Sequence, residues 1–207
     1  MAEPPLPVVY LPGASGRSAV WRPIAERLAR RRRPVLVDYP GLGDAPADPT
    51  IRSLDDLTRV VSATLPLRTD VVSLSMGSAV ALRLALEYPE RVRRLVLVTP
   101  AGGADARLFG ATDWRPAFCA RRPDAPRWFV DDARDLAGEL GRVTARTLLV
   151  MGEHDSIAPV AFANHLRTRL PFAVLEIVAA ATHDLEDEAP DLVASLIEAH
   201  FRRTDDA

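Results

Sequence analysis

Hydrophobic residues gather in six short runs along the chain, at positions 8–11, 34–38, 70–74, 92–98, 147–151 and 174–178. Most are nearly continuous rather than alternating, the pattern of strands buried on both faces. The stretches between them carry helical spacing. Ile24, Ala25 and Leu28 share one face of a helix predicted over 23–31. Ser53 reads as the N-cap of a helix reaching position 64, with Asp55 and Asp56 in its first turn. Further helices are expected over 78–88 and 160–169. A last one runs to about Phe201, with Leu192, Leu196 and Ile197 facing inward. Strands alternating with helices mean a parallel sheet covered on both sides, a three-layer α/β/α sandwich.

The rhythm breaks over 99–142, which holds Gly102-Gly103, a proline- and arginine-rich stretch and a helix predicted over 128–140. This segment reads as a small lid inserted over the sheet. Trp114, Phe118 and Trp128 sit in it as lid-packing residues that reach a substrate, and Trp21 is a candidate for core or pocket wall. No internal repeat or second domain is visible, and the 207 residues suit one domain.

The most informative stretch is Val71-Val72-Ser73-Leu74-Ser75-Met76-Gly77-Ser78. A β-branched run stops, a small-x-Ser-x-Gly turn follows, and a helix begins at once, the pattern of a nucleophile elbow. A serine at the tip of so sharp a turn is held in a strained backbone, so its neighbours must be small. The helix N-terminus beneath the hydroxyl favours developing negative charge. The bland alternative is a strand, a turn and a helix that Ser75 merely caps.

Composition narrows the classes. The formal net charge is -2, which gives no general pull toward nucleic acid or acidic membranes. All 26 basic residues are Arg. The Arg30–Arg33 run is explained by a solvated helix C-terminus, where cations are favourable. The one cysteine, Cys119, allows no internal disulfide, suggests no metal cluster, and is expected to be structural. No signal peptide and no membrane-length apolar run is read, so a cytoplasmic location is the expectation.

Four further signals follow in order. They are Leu11-Pro12-Gly13-Ala14; Asp38-Tyr39-Pro40-Gly41-Leu42-Gly43; Gly152-Glu153-His154-Asp155 with Pro159; and His183 with Pro190 downstream. Together with the elbow, they make the chain resemble a small serine hydrolase, esterase-like, of the α/β-hydrolase superfamily, over nearly its whole length apart from the lid. Ser73 stands where that family prefers Gly, and Pro12 where its oxyanion loop carries His. The resemblance implies six parallel strands in the order 4-3-5-6-7-8 by the family's convention, the N-terminal hairpin being missing, and a short lid over a shallow pocket. One sheet edge is left bare. Pro4, Pro5 and Pro7 are expected to blunt it, in a monomer or homodimer.

The chemistry implied is acyl transfer. Ser75 is the nucleophile, His183 its base, and Asp155 the group that orients the imidazole. The N–H groups of Ala14 and Met76 receive the oxyanion, and Gly13 lines the substrate site. Asp184 and Glu153 are rivals to Asp155. His154, His165 and His200 have structural or surface roles, and Asp38 orders the loop after it. No cofactor or metal is required. The substrate is a small or medium carboxylic ester, lactone or thioester. A C–C bond hydrolase with the same triad, or a non-catalytic small-molecule-binding protein on the same fold, are the alternatives.

Overall fold

The computed structural model describes residues 6–132 and 134–202. Six strands, β1 (Pro7–Leu11), β2 (Arg33–Leu36), β3 (Thr69–Leu74), β4 (Val92–Val98), β5 (Arg146–Gly152) and β6 (Ala173–Val178), form one sheet. The order is β2-β1-β3-β4-β5-β6 and every pairing is parallel, which is the order expected. The helices are α1 (Arg22–Leu28), α2 (Leu54–Thr64), α3 (Gly77–Glu87), α4 (Arg115–Arg121), α5 (Arg127–Val130), α6 (Val160–Arg169), α7 (Leu185–Glu188) and α8 (Pro190–Arg202).

The pleat sorts each strand's residues onto two cores. Val8, Tyr10, Val72, Val96, Val98, Leu148 and Val150 pack with Ile24 and Leu28 of α1 and Val193, Ile197 and Phe201 of α8. Val9, Leu11, Val71, Leu95, Leu97, Leu149 and Met151 pack with α2, α3 and α6 on the other face. The inner face of α8 differs from expectation. Val193, Ile197 and Phe201 recur every fourth residue and are buried, whereas Leu192 is 45% exposed.

The sheet edge also differs. Pro7 lies in β1, which pairs on both sides; Pro4 and Pro5 lie outside the described residues. The edge is β2, a four-residue strand that carries Pro34. Shortness and a missing N–H are the devices that blunt it.

Residues 99–142 hold α4, α5 and two single 3₁₀ turns. The helix expected over 128–140 stops at Val130. The side chain of Asp132 is taken by Arg83 of α3, whose guanidinium also meets Asp55 of α2. The Leu136 N–H is donated to the Gly103 carbonyl, and Asp135 caps the Ala137 N–H. These bonds stand in for most of the i→i−4 ladder, of which the bond from the Leu140 N–H to the Leu136 carbonyl remains. Conversely, the proline-rich stretch starts α4, because Pro116 sits in the first turn where its missing N–H costs nothing. Trp114, Phe118, Phe129 and Trp128 pack on one another, with centroids 5.4–6.2 Å apart. Among the described residues no helix is long and apolar enough to cross a membrane.

Candidate active site

In a parallel sheet, loops leave the C-terminal strand ends together, and ligands bind there. Here the register sets Leu11 beside Ser73, Leu74 beside Val98, and Gly152 beside Val178. The loops after β1, β3, β5 and β6 therefore meet at one end of the sheet.

Ser75 sits between β3 and α3 at φ 48°, in the left-handed region that is uncommon for a non-glycine residue. Its N–H bonds the Val98 carbonyl, and its own carbonyl accepts from Ser78 and Ala101. Those bonds hold the strain. Ser73, in the place the family prefers for Gly, is buried with its hydroxyl 3.2 Å from that of Ser78. A Cβ on Gly77 would lie 2.3 Å from the Pro12 carbonyl oxygen, so α3 can press against the loop after β1 only with glycine there. We expect Gly77→Ala to force these two backbones apart. Unfolding in urea should show a loss of about 2 kcal/mol, the usual cost of overpacking.

Ser75 Oγ lies 2.8 Å from His183 Nε2, and His183 Nδ1 lies 2.8 Å from Asp155 Oδ2. The carboxylate keeps a proton on Nδ1, which leaves Nε2 to accept from the serine hydroxyl. Asp155 is buried, and its other oxygen accepts from the Ile157 and Ala158 N–H groups at 2.8 Å each. The rivals are engaged elsewhere: Glu153 accepts from the Ala180 N–H, and Asp184 stands on the cavity wall. The loops carrying Asp155 and His183 are locked together by bonds from Glu153 N–H to Val178 and from His154 N–H to Ala181. A Cβ on Gly152 would lie 2.2 Å from the Thr182 carbonyl. Glu188 accepts from both the N–H and the hydroxyl of Thr182, fixing the residue before His183.

The loop after β1 is fixed by its neighbours. Asp38 accepts from the N–H and hydroxyl of Ser18, which ties the loop after β2 to this one. Trp21 is fully buried in the core and donates its indole N–H to the Leu11 carbonyl. It braces the loop from behind, which is the core member of the two alternatives the sequence left open, and it is not among the residues lining the cavity. A ring this large satisfies either role by sequence, and an indole N–H beside a free carbonyl decides it. Among the described residues, neither the Ala14 nor the Met76 N–H donates a bond within the protein. Both residues line the cavity beside Ser75.

That cavity measures about 450 Å³. Gly13, Ala14, Ser75, Met76 and His183 form its floor and sides; Trp114, Phe118, Arg121 and Arg122 come from the 99–142 segment. Trp128, expected to reach a substrate, is not among its lining residues and rests edge-on against Phe129. His154 is exposed, His165 packs on Phe109, and His200 is buried. Cys119 is a free thiol packed against the core.

The sequence reading gave Glu186 no role, yet it lines this cavity and is only 7% exposed. Its signal was its place three residues after His183. Burial pushes its carboxyl up to about 7 from an ordinary 4.5; Asp187 and Asp184 add to the rise, and its own backbone N–H and His183 oppose it. Between these two values the unfolded chain sheds a proton that the folded chain keeps. Stability therefore falls as pH rises through 4.5 to 7, and the loss is complete above. Glu186→Gln should gain up to about 3 kcal/mol over wild type at pH 8 and little at pH 4, read from urea midpoints at both.

A family model for the alpha/beta hydrolase fold matches residues 7–129. The pimeloyl-[acyl-carrier protein] methyl ester esterase of Nitrosomonas europaea is 31% identical over 222 residues, covering 85% of this chain and 88% of its own. The 2-hydroxymuconate semialdehyde hydrolase of a Pseudomonas species is 33% identical over 152 residues, 68% of this chain and 52% of that one. The crystal structure of the enol-lactonase from Burkholderia xenovorans superimposes with a TM-score of 0.80 at 19% identity, covering 97% of this chain and 93% of that one.

Proposed function

The chain belongs to the alpha/beta hydrolase fold family, and from that premise we propose that it is a serine hydrolase acting on carboxylic esters through an acyl-enzyme. One observation carries this reading: a hydrogen-bonded line from Asp155 through His183 to a strained Ser75 on a cavity floor. The Ser75 hydroxyl attacks the ester carbonyl carbon while Nε2 of His183 takes its proton. Asp155 stabilises the imidazolium. The carbonyl oxygen becomes an oxyanion received by the N–H groups of Ala14 and Met76, each worth about 3 kcal/mol. On collapse the C–O bond to the alcohol breaks, and the alkoxide takes the proton from Nε2. Water then attacks the acyl-enzyme by the same route and frees the acid and Ser75.

The esterase name of the Nitrosomonas relative supports ester chemistry. The test is a panel of p-nitrophenyl esters from acetate to octanoate, with a thioester and a lactone. Turnover that disappears in Ser75→Ala supports the reading. A folded wild type no faster than that variant on every member would leave a binding protein on this fold.

A further inference from the structure

A second cavity, of about 110 Å³, adjoins the one that holds Ser75. The two share three lining residues, Met76, Trp114 and Ile157. Two of these are committed to the chemistry: Met76 follows Ser75 at the elbow, and the Ile157 N–H is donated to Asp155. Trp114 is the third, and its packing is that of a partition. Its ring stacks against Phe118, which lines the first cavity, and against Phe129, which lines the second, with centroids 5.4 and 5.8 Å away. An aromatic held only by packing on its neighbours is a wall whose size sets where the first cavity ends.

The lining of the second cavity says what it would take. The charged groups around it are engaged within the protein: Arg107 with Asp105, Arg115 with Asp113, Arg134 with Asp55, and Asp132 with Arg83. Asp135 accepts from the Ala137 N–H. Ala79, Gly102, Gly103 and Ala104 make the wall between these pairs small and uncharged. No charge is left over for an ionic ligand, and the space suits the end of an apolar chain. At about 30 Å³ for a group the size of a water, it holds roughly four more chain atoms. The alcohol of an ester must lie against Nε2 of His183 to receive its proton. His183 and Asp184 line the first cavity and, among the described residues, not the second. The arm left to meet the partition is the acyl chain. We propose that Trp114 is the specificity-determining residue for acyl length: it closes the acyl site, and the second cavity is an apolar subsite that a longer straight chain fills once the indole is removed. The inference rests on the acyl-enzyme reading above and deepens it. The chemical step is unchanged, with the acyl group passing to Ser75 Oγ and the alcohol leaving with the proton from His183.

Straight-chain p-nitrophenyl esters are the probes. The readout is kcat/KM for the octanoate divided by that for the butyrate, which cancels whatever slows both alike. The ratio should rise at least about tenfold in Trp114→Ala over wild type, because four more methylenes then find an apolar site. Trp114→Leu should raise it less, and carries the test if the smaller variant does not fold. Adding Ala104→Leu, at a residue that lines the second cavity alone, should bring the ratio of Trp114→Ala back to within about threefold of wild type. Trp128→Ala, an aromatic of the same segment that lines neither cavity, should leave it unmoved. A ratio unmoved by both Trp114 variants, a rise that Ala104→Leu does not reverse, or an equal rise in Trp128→Ala overturns the proposal. Binding reads the same site without turnover. In Ser75→Ala, the affinity for octanoate relative to butyrate, followed by NMR, should rise at least about fivefold on adding Trp114→Ala. That rise in a wild type that hydrolyses no ester would sink the acyl-enzyme reading and keep the subsite; an unchanged ratio, or no saturation, contradicts the subsite itself.

Discussion

Ser75→Ala and His183→Ala are each expected to lower kcat by roughly 10⁶-fold, and the double variant to be no slower than either single one. The reason is the geometry of one proton. At 2.8 Å from Nε2, the Ser75 hydroxyl gives up its proton as it attacks. Without the base the hydroxyl is a weak nucleophile at neutral pH, and without the hydroxyl the base has nothing to activate. The two groups act as one unit, so their losses do not add. What survives should be a residue of about 10³-fold over water from the N–H groups of Ala14 and Met76 and from binding. Single-turnover kinetics on an activated ester measures all three variants. Losses that add would show that Ser75 and His183 work separately and would break the proposed mechanism.

Asp155→Asn should cost about 10⁴-fold in kcat while leaving the fold intact. The mechanism is specific to the bonds around Asp155. Its Oδ1 accepts from the Ile157 and Ala158 N–H groups, and Oδ2 faces His183 Nδ1. An asparagine must keep its single carbonyl oxygen on the two N–H groups, which turns its NH₂ toward Nδ1. The imidazole then holds its proton on Nε2, where it cannot accept from Ser75. The downfield NMR proton of Nδ1–H should vanish in the variant. Near-wild-type turnover in Asp155→Asn would mean that His183 is oriented by something other than this carboxylate.

Most of the architecture was legible because it rests on burial. The strand at Val92–Val98 and the helix at Val160–Arg169 stand where their apolar spacing put them, and Ser53 caps α2 by accepting from the Asp56 N–H. The elbow was legible because steric demands leave few residue types: the positive φ at Ser75 and the approach of Pro12 to Gly77 both constrain the sequence locally. What escaped was set by contacts distant in the chain. The 128–140 stretch has helical spacing at Leu136 and Leu140, but Arg83, more than forty residues earlier, draws Asp132 out of the helix. For Trp21 the sequence left core and pocket wall open, and for Trp128 it expected substrate contact, because size and apolarity do not say which cavity a ring faces. Glu186 passed unremarked because an acidic run such as Asp184 to Glu188 looks like a solvated face until one member is found buried.

The most direct measurement is the intact mass of wild type and Ser75→Ala after exposure to a fluorophosphonate. The phosphorus is attacked only by an activated serine, with fluoride leaving, so no substrate need be known. A single adduct on wild type and none on the variant is the expected result. An unlabelled, folded wild type, or an adduct that persists in Ser75→Ala, would contradict the assignment of Ser75 as the nucleophile.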